Sequence, residues 1–295
     1  MISTDIQTDE TMRSVISYGT PEHPICCITD DLSKLKSQST RWHWHNEFEF
    51  SYIRSGAVTF YIDSEQINLQ KGDALFISSE AIHHVEGSEG CVVENLIFSP
   101  SYLSPENSLV FQKYVQPILQ SSFSHLPLFS NIAVVEPVRN KLNHVFSVWE
   151  MQQPLWELSL QSATLELWMS IFPMLRPHMS KPLPKQGKLH RIRLQCMMAY
   201  IASHYAEQIS LEQIAKSAHI STSEALRCFQ SGLQTTPVQY LIDYRLYVAQ
   251  YKLVNSADNI TQIAADCGFH TTSYFCRMFR KKYGVTAESY RKMQK

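Results

Sequence analysis

Glycine is scarce in this chain, nine in 295 residues, which excludes a collagen-like repeat. No apolar run approaches the ~18–20 residues that a membrane-spanning helix needs. The opening segment, MISTDIQTDETMRS, has neither the basic start nor the apolar core of a secretory signal. The expectation is therefore a protein made and kept in the cytoplasm, with no membrane partner. The seven cysteines (Cys26, Cys27, Cys91, Cys196, Cys228, Cys267 and Cys276) are odd in number and form no CxxC pair. Neither a disulfide framework nor a zinc ribbon is indicated, and small buried hydrophobes in a reducing compartment are expected. What the chain does have is apolar surface. Hydrophobic residues make up 44% and charged residues 18%, enough to offset the entropy of ordering and to exclude a disordered chain. The length fits two domains, with three as the alternative.

A net charge of −1 conceals a division along the chain. Residues 186–295 carry 14 Lys and Arg against 7 Asp and Glu, whereas residues 1–185 carry 12 against 20. A basic C-terminal third behind an acidic body suggests that this third meets a polyanion. The change of sign falls at Ser180-Lys181-Pro182-Leu183-Pro184-Lys185-Gln186-Gly187-Lys188, where two prolines and a glycine are expected to stop helices on both sides.

Periodicity separates three regions. Residues 24–98 read as β. Glu47 to Ile53 alternates polar and apolar, Val58 to Ile62 follows a Ser55-Gly56 hairpin signal, and Ala74 to Ile77 and Cys91 to Phe98 are further strands. Short strands at regular spacing predict a sandwich or barrel. Residues 105–178 read as helical, with Leu109, Val110, Tyr114, Ile118 and Leu119 at helical spacing and a more apolar stretch from Leu155 to Leu175. Such a stretch is buried, against the β domain or against another subunit.

Residues 189–295 are helical and heavily punctuated. Ser210-Leu211-Glu212-Gln213 and Ser221-Thr222-Ser223-Glu224 are capping boxes that open two short helices. Thr236-Pro237 starts a long helix to about Val254. The pattern then recurs about 50 residues on: Asn259 opens a short helix, Cys267-Gly268-Phe269 makes a turn, Thr271 to Tyr283 is the next helix, and Thr286 caps a last one. Two helix-turn-helix copies bridged by one long helix, on a basic segment, point to DNA.

The second copy carries Ile263-Ala264, Gly268-Phe269, Ser273-Tyr274-Phe275, Arg277, Phe279-Arg280-Lys281, Tyr283-Gly284-Val285-Thr286 and Tyr290-Arg291, and the long helix carries Pro237, Tyr240-Leu241, Arg245, Ala249 and Leu253. With these residues the C-terminal ~105 positions resemble the DNA-binding domain of the AraC/XylS family of bacterial transcription regulators. The resemblance implies that each copy places its second helix in a major groove, the two about one turn of DNA (~34 Å) apart. It puts base-facing positions at Ser223, Leu226 and Arg227 in the first copy and at Thr272, Ser273 and Arg277 in the second. Arg227 and Arg277 are the expected guanine readers. Arg280, Lys281 and Lys282 are expected on phosphates. The sequence departs from the family at Gln234, where glycine is usual, at Gln230 and Ser231, where lysines are usual, and at Ala287, where proline is usual. The first copy is thus expected to grip phosphate less strongly.

Ahead of this domain, His43-x-His45-x3-Glu49-x6-Gly56 resembles the first motif of the cupin superfamily. Gly72-x5-Ser78-x-Glu80-x2-His83 is similar to the second, with Ser78 and Glu80 in place of the family's proline and glycine. The resemblances together imply an α+β two-domain protein. Residues 1–104 would form a cupin-like effector-binding barrel with an N-terminal arm in residues 1–20, residues 105–180 a helical dimerisation segment, 181–188 a linker, and 189–295 the DNA-binding domain. His43, His45 and Glu49 alternate with even spacing and are expected on one strand face, joined by His83 from a second strand. Three imidazoles and a carboxylate suit a divalent metal, a polar effector, or a structural polar cluster. Arg41, beside Trp42 and Trp44, suits an anionic or sugar-like group. The reading is an effector-controlled transcription regulator and not an enzyme, with double-stranded DNA, a small effector, RNA polymerase and a second copy of the chain as partners, and no cofactor. Activation is the commoner outcome in the family and repression the alternative. A cupin metalloenzyme fused to a DNA-binding module and a constitutive regulator with a vestigial barrel are the competing readings.

Overall fold

The computed structural model describes residues 8–9, 12–15, 18–34, 39–62, 65–179 and 185–293. Most of the expected N-terminal arm lies outside these residues, as do Ser180 to Pro184 of the expected linker. The chain divides into two compact units, residues 1–9 with 13–189 and residues 10–12 with 190–295.

The first unit contains strands β1 (Ile25–Asp31), β2 (Phe48–Ser55), β3 (Ala57–Ile62), β4 (Glu65–Gln70), β5 (Ala74–Ile77), β6 (His83–Gly87), β7 (Val92–Phe98) and β8 (His125–Leu128). They form an antiparallel five-stranded sheet in the order β1-β7-β2-β5-β8 and a three-stranded sheet in the order β4-β3-β6. Helices α1 (Leu109–Tyr114), α2 (Gln116–Leu119), α3 (Glu136–Met151) and α4 (Trp156–Leu175) complete the unit.

Strand β2 shows how the two layers of core arise. Phe48, Phe50 and Tyr52 point to one face and join Leu160, Leu167, Trp168 and Ile171 of α4 in one apolar cluster. Phe48 stacks on Trp168 at 5.2 Å. The other face carries Glu49, Ser51 and Ile53 inward between the sheets, where Ile53 joins Val58, Phe60, Ile77 and Val85. Glu49 and Ser51, two of the polar positions of the alternating segment, are therefore buried in the barrel, while Glu47 stays partly exposed.

Four sequence expectations change. Ser55-Gly56 is not a hairpin turn, because β2 pairs with β5 and β7 while β3 pairs with β4 and β6. The chain crosses between sheets there. Gly56 has φ +73°, and a Cβ on it would stand 2.8 Å from the Cys91 Cα, so only glycine makes this corner without strain. The region expected to be helical throughout contains strand β8, which extends the large sheet beside β5. His43 and His45 precede β2 instead of lying on it, and His43 meets His83 through an isolated antiparallel bridge. Gly187 does not stop a helix: α5 (Lys185–His204) begins before it and runs on.

The second unit contains most of α5, then α6 (Leu211–Ser217), α7 (Thr222–Leu233), α8 (Pro237–Asn255), α9 (Ile260–Asp266), α10 (Thr272–Tyr283) and α11 (Ala287–Met293). Side-chain caps open them as the sequence signals: Ser210 with Gln213 in a full capping box, Ser221, Thr236, Asn259 and Thr271. The 19 residues of α8 span about 28 Å at 1.5 Å per residue. Its Leu246, Ala249 and Leu253 join Ile263, Phe275 and Phe279 of the second copy in one core.

Two arginines tie the helix that follows each helix-turn-helix to the segment that precedes it. Arg245 of α8 donates from Nε to the Tyr205 carbonyl at 2.7 Å and from a terminal nitrogen to the Glu207 carbonyl at 2.6 Å. Arg291 of α11 does the same to Leu253 and Asp258, at 3.0 and 2.6 Å. Each guanidinium thus satisfies one carbonyl at or just past a helix end and one in the loop that follows it.

Candidate functional sites: a buried polar cavity and two exposed helix faces

In the barrel, His43, His45 and His83 are all buried, and one ring nitrogen from each lies within 4.8 Å of the others. Each ring is oriented through its Nδ1, which faces the carbonyl of Arg41 (2.9 Å), Glu47 (3.2 Å) and Ala81 (2.9 Å) respectively. A carbonyl only accepts, so each Nδ1 carries the proton and each Nε2 is directed elsewhere. Glu49 Oε2 lies 2.9 Å from His45 Nε2 and 3.6 Å from His83 Nε2, and Ser51 Oγ donates to Oε1 at 2.7 Å. A proton or a bound cation must sit between the facing nitrogen and oxygen of His45 and Glu49.

Electrostatics sharpen this arrangement. Burial, reinforced by the neighbouring His83 and His45, holds the His43 imidazole well below its usual range. Burial alone would raise Glu49, but the hydrogen bonds and charge of His45 and His83 outweigh it, so the carboxyl lies well below the usual carboxylate range. Asp30 of β1 behaves in the opposite way. Burial and the Glu49 charge push it up to about 7 against the opposing hydrogen bond from Asn95.

A cavity of about 30 Å³ opens at this cluster, room for one or two water-sized groups. Of the five residues expected to touch effector, His43, Glu49 and His83 line it, whereas Arg41 and His45 do not. Arg41 instead contributes the carbonyl that orients His43. Asp30, Asn95, Tyr18 and Thr40 line the cavity without having been picked out from the sequence. The available signal was the polar Asn95 inside the apolar run from Val92 to Phe98.

In the second unit, Ser223, Leu226 and Arg227 lie exposed on α7, and Ser273, Arg277 and Arg280 lie exposed on α10 with Lys281 and Lys282, while Thr272 is half-buried. Ser223, Leu226 and Arg227 share one face of α7, and Ser273, Arg277, Arg280 and Lys281 share one face of α10, whereas Lys282 lies off it. Arg227 pairs with Glu224 at 2.7 Å, and Arg193 reaches the same carboxylate at 3.2 Å. Arg277 lies over the Tyr274 ring at 5.2 Å. Lys282 pairs with Asp243 of α8 at 3.2 Å.

Residues 26–167 match the AraC-like ligand binding domain and residues 214–293 match a helix-turn-helix domain. The uncharacterized HTH-type transcriptional regulator YdeC of Bacillus subtilis (strain 168) is 29% identical over 291 residues, which is 97% of each chain. The HTH-type transcriptional activator RhaS of Klebsiella pneumoniae (strain 342) is 22% identical over 82% of this chain and 84% of its own. Among solved structures, the DNA-binding domain of AdpA, a global transcriptional factor in complex with a target DNA, is 30% identical. It covers 34% of this chain and 91% of that one, with a TM-score of 0.33.

Proposed function

Because this chain belongs to the AraC family of DNA-binding transcription regulators, with the family's ligand-binding and helix-turn-helix domains together matching three quarters of its length, we propose how it reads DNA and what its barrel senses. The observation that carries the reading is the doubled motif: α7 and α10 each present an exposed polar face on a basic unit, bridged by the single helix α8. We assign base contacts to Ser223, Leu226 and Arg227 on α7 and to Thr272, Ser273 and Arg277 on α10, with the two arginines reading guanine. Arg280 and Lys281 take phosphates, and Lys282 joins them only by leaving Asp243.

The barrel cavity is the effector site, with His43, Glu49 and His83 in contact and Arg41 and His45 behind them. Effector binding shifts the population of DNA-bound arrangements through its differential affinity for them. Residues 105–180 serve as the dimerisation segment and 181–188 as the linker, and the dimer acts on RNA polymerase as an activator in the cytoplasm. Among the described residues no helix is long and apolar enough to cross a membrane, and the relatives from Bacillus subtilis and Klebsiella pneumoniae are named as transcription regulators. Those names support a regulator over an enzyme.

A second reading of the barrel is favoured by the three carbonyl-oriented imidazoles. Their ligand atoms span 4.8 Å, which sub-ångström shifts bring onto an ion at about 2.1 Å. His43, His45, His83 and Glu49 therefore fit a divalent transition metal, which would supply an electrophilic anchor for an effector oxygen. Elemental analysis of the purified protein separates the two readings.

The DNA reading is tested on duplexes selected from a genomic pool. Arg277→Ala should cost ~1–3 kcal/mol on the selected site and relax preference at one base position. Lys281→Ala should weaken all duplexes alike and lower the slope of log affinity against log salt by about 0.9. If both variants bind the selected site like wild type, the assignment of α10 is wrong.

A further inference from the structure

We propose that Asp30 and Asn95 form the recognition end of the barrel cavity for a cationic head group rich in N–H donors, a primary ammonium or a guanidinium. The proposal deepens the effector-sensing reading and rests on it. The two residues are distant in sequence and are brought together because β1 pairs with β7 in the register Ile28↔Asn95 and Asp30↔Val93. Both side chains line the cavity, projecting from the face of the large sheet opposite to the one that packs on α3 and α4.

Asn95 is 7% exposed, and its Oδ1 has no hydrogen-bond partner among the described residues. Leaving a buried acceptor unmet is costly, so such an atom asks for an explanation. While Asp30 is ionised, the amide cannot escape by turning over. Its Nδ2 donates to Asp30 Oδ2 at 2.7 Å, and a flip would set oxygen against carboxylate. The unmet group is thus fixed as an acceptor.

The neighbouring groups make the same demand. Glu49 already takes Ser51 and His45 on its two oxygens. Among the described residues, Asp30 takes a side-chain hydrogen bond from Asn95 alone. No lysine or arginine is among the residues lining the cavity, while two carboxylates are. An anionic effector would meet the Asp30 carboxylate there, the Glu49 charge being engaged by His45. A cation would be attracted, and its N–H groups would satisfy Asn95 Oδ1 and the Asp30 carboxylate together. Size narrows the choice further. About 30 Å³ admits an ammonium or one end of a guanidinium, whereas a sugar ring needs the walls to move. A metal ion held by the imidazoles would leave the Asn95 oxygen unmet.

The test uses full-length protein at pH 8, above the value of about 7 to which burial lifts Asp30. Thermal unfolding is followed with methylammonium or guanidinium chloride at tens of millimolar, against equal tetramethylammonium chloride, which has the same charge and no N–H. The expected result is a Tm rise of about 2–4 °C specific to the N–H cations. It should vanish in Asp30→Asn and in Asn95→Ser, each of which must give its own cooperative transition without ligand. Absence of a specific rise in wild type, as when water alone meets Asn95, overturns the proposal. So does a rise that both variants retain, or stabilisation by Zn2+ or Mn2+ alone with none by the N–H cations. DNA binding by the wild-type protein without any amine is measured separately. Its loss would overturn the DNA reading and leave the cation site standing.

Discussion

Gln234 shows how a single position records both the family pattern and the departure from it. It follows α7 in the left-handed region with φ +51°, the conformation that glycine adopts at little cost and other residues at about 1–2 kcal/mol. Gly284 holds the equivalent place after α10 with φ +75°. Gln234→Gly should therefore stabilise the C-terminal unit by about 0.5–1 kcal/mol, the strain relieved being partly offset by the entropy of the freer unfolded chain. Urea unfolding followed through that unit checks it, and an unchanged or lower midpoint would show that the glutamine side chain contributes more than its backbone costs. At this scale the sequence was most legible where chemistry is local. His43, His45 and Glu49 lie within seven positions, so their spacing announced a cluster. Asp30 and Asn95 meet only through strand pairing 65 positions apart, and nothing in their local sequence marks them as neighbours. The charge of Arg41 is visible in the sequence, whereas the orienting of His43 by its backbone carbonyl is not.

Helices announced themselves better than strands. In the C-terminal unit the caps Ser210, Ser221, Thr236, Asn259 and Thr271 fall at the starts of helices, because capping is a contact over three residues that the sequence writes out in order. Strand partners are not written that way. Gly56 looked like a hairpin turn, since a glycine between two β segments serves equally for a turn and for a crossing between sheets. Strand β8 was hidden in a helical region because its four residues, His125 to Leu128, are too few for a period to show. The turn of the second helix-turn-helix offers the sharpest test of element-level reasoning. Gly268 has φ +77°, and a Cβ there would stand 2.6 Å from the Tyr205 carbonyl oxygen and 2.9 Å from an Arg245 nitrogen. The same turn accepts a hydrogen bond from Gln208 at its own carbonyl, 3.0 Å away. Gly268→Ala should disrupt both α9–α10 packing and the Arg245 clamp, costing about 2–4 kcal/mol. Hydrogen exchange should show loss of protection in α9 and in the turn at 205–207 together. Loss confined to α9 would mean that Arg245 does not couple them.

For the whole molecule the open question is what covers the apolar surface left by α3 and α4. Met151, Leu155, Leu158 and Met169 are 65–69% exposed, and Leu158, Leu165 and Met169 stand at i, i+7 and i+11 on one face of α4. The opposite face, with Leu160, Leu167 and Ile171, is fully engaged with the sheet, so the helix is apolar on two sides and buried on one. An exposed apolar stripe of this kind marks an interface, and the dimer proposed above would place a second copy of the chain on it. Joining two DNA-binding units would convert the second binding event into an intramolecular one, worth ~10²–10⁴ in apparent affinity. Leu158→Glu combined with Met169→Glu should bring the sedimenting mass down to the single-chain 34.0 kDa. It should weaken binding to a two-site operator by about that factor and leave binding to a single site unchanged. Wild-type protein that sediments as one chain at micromolar concentration would remove this role from α4. Equal losses on one-site and two-site DNA would trace the defect to folding and not to the pairing of chains.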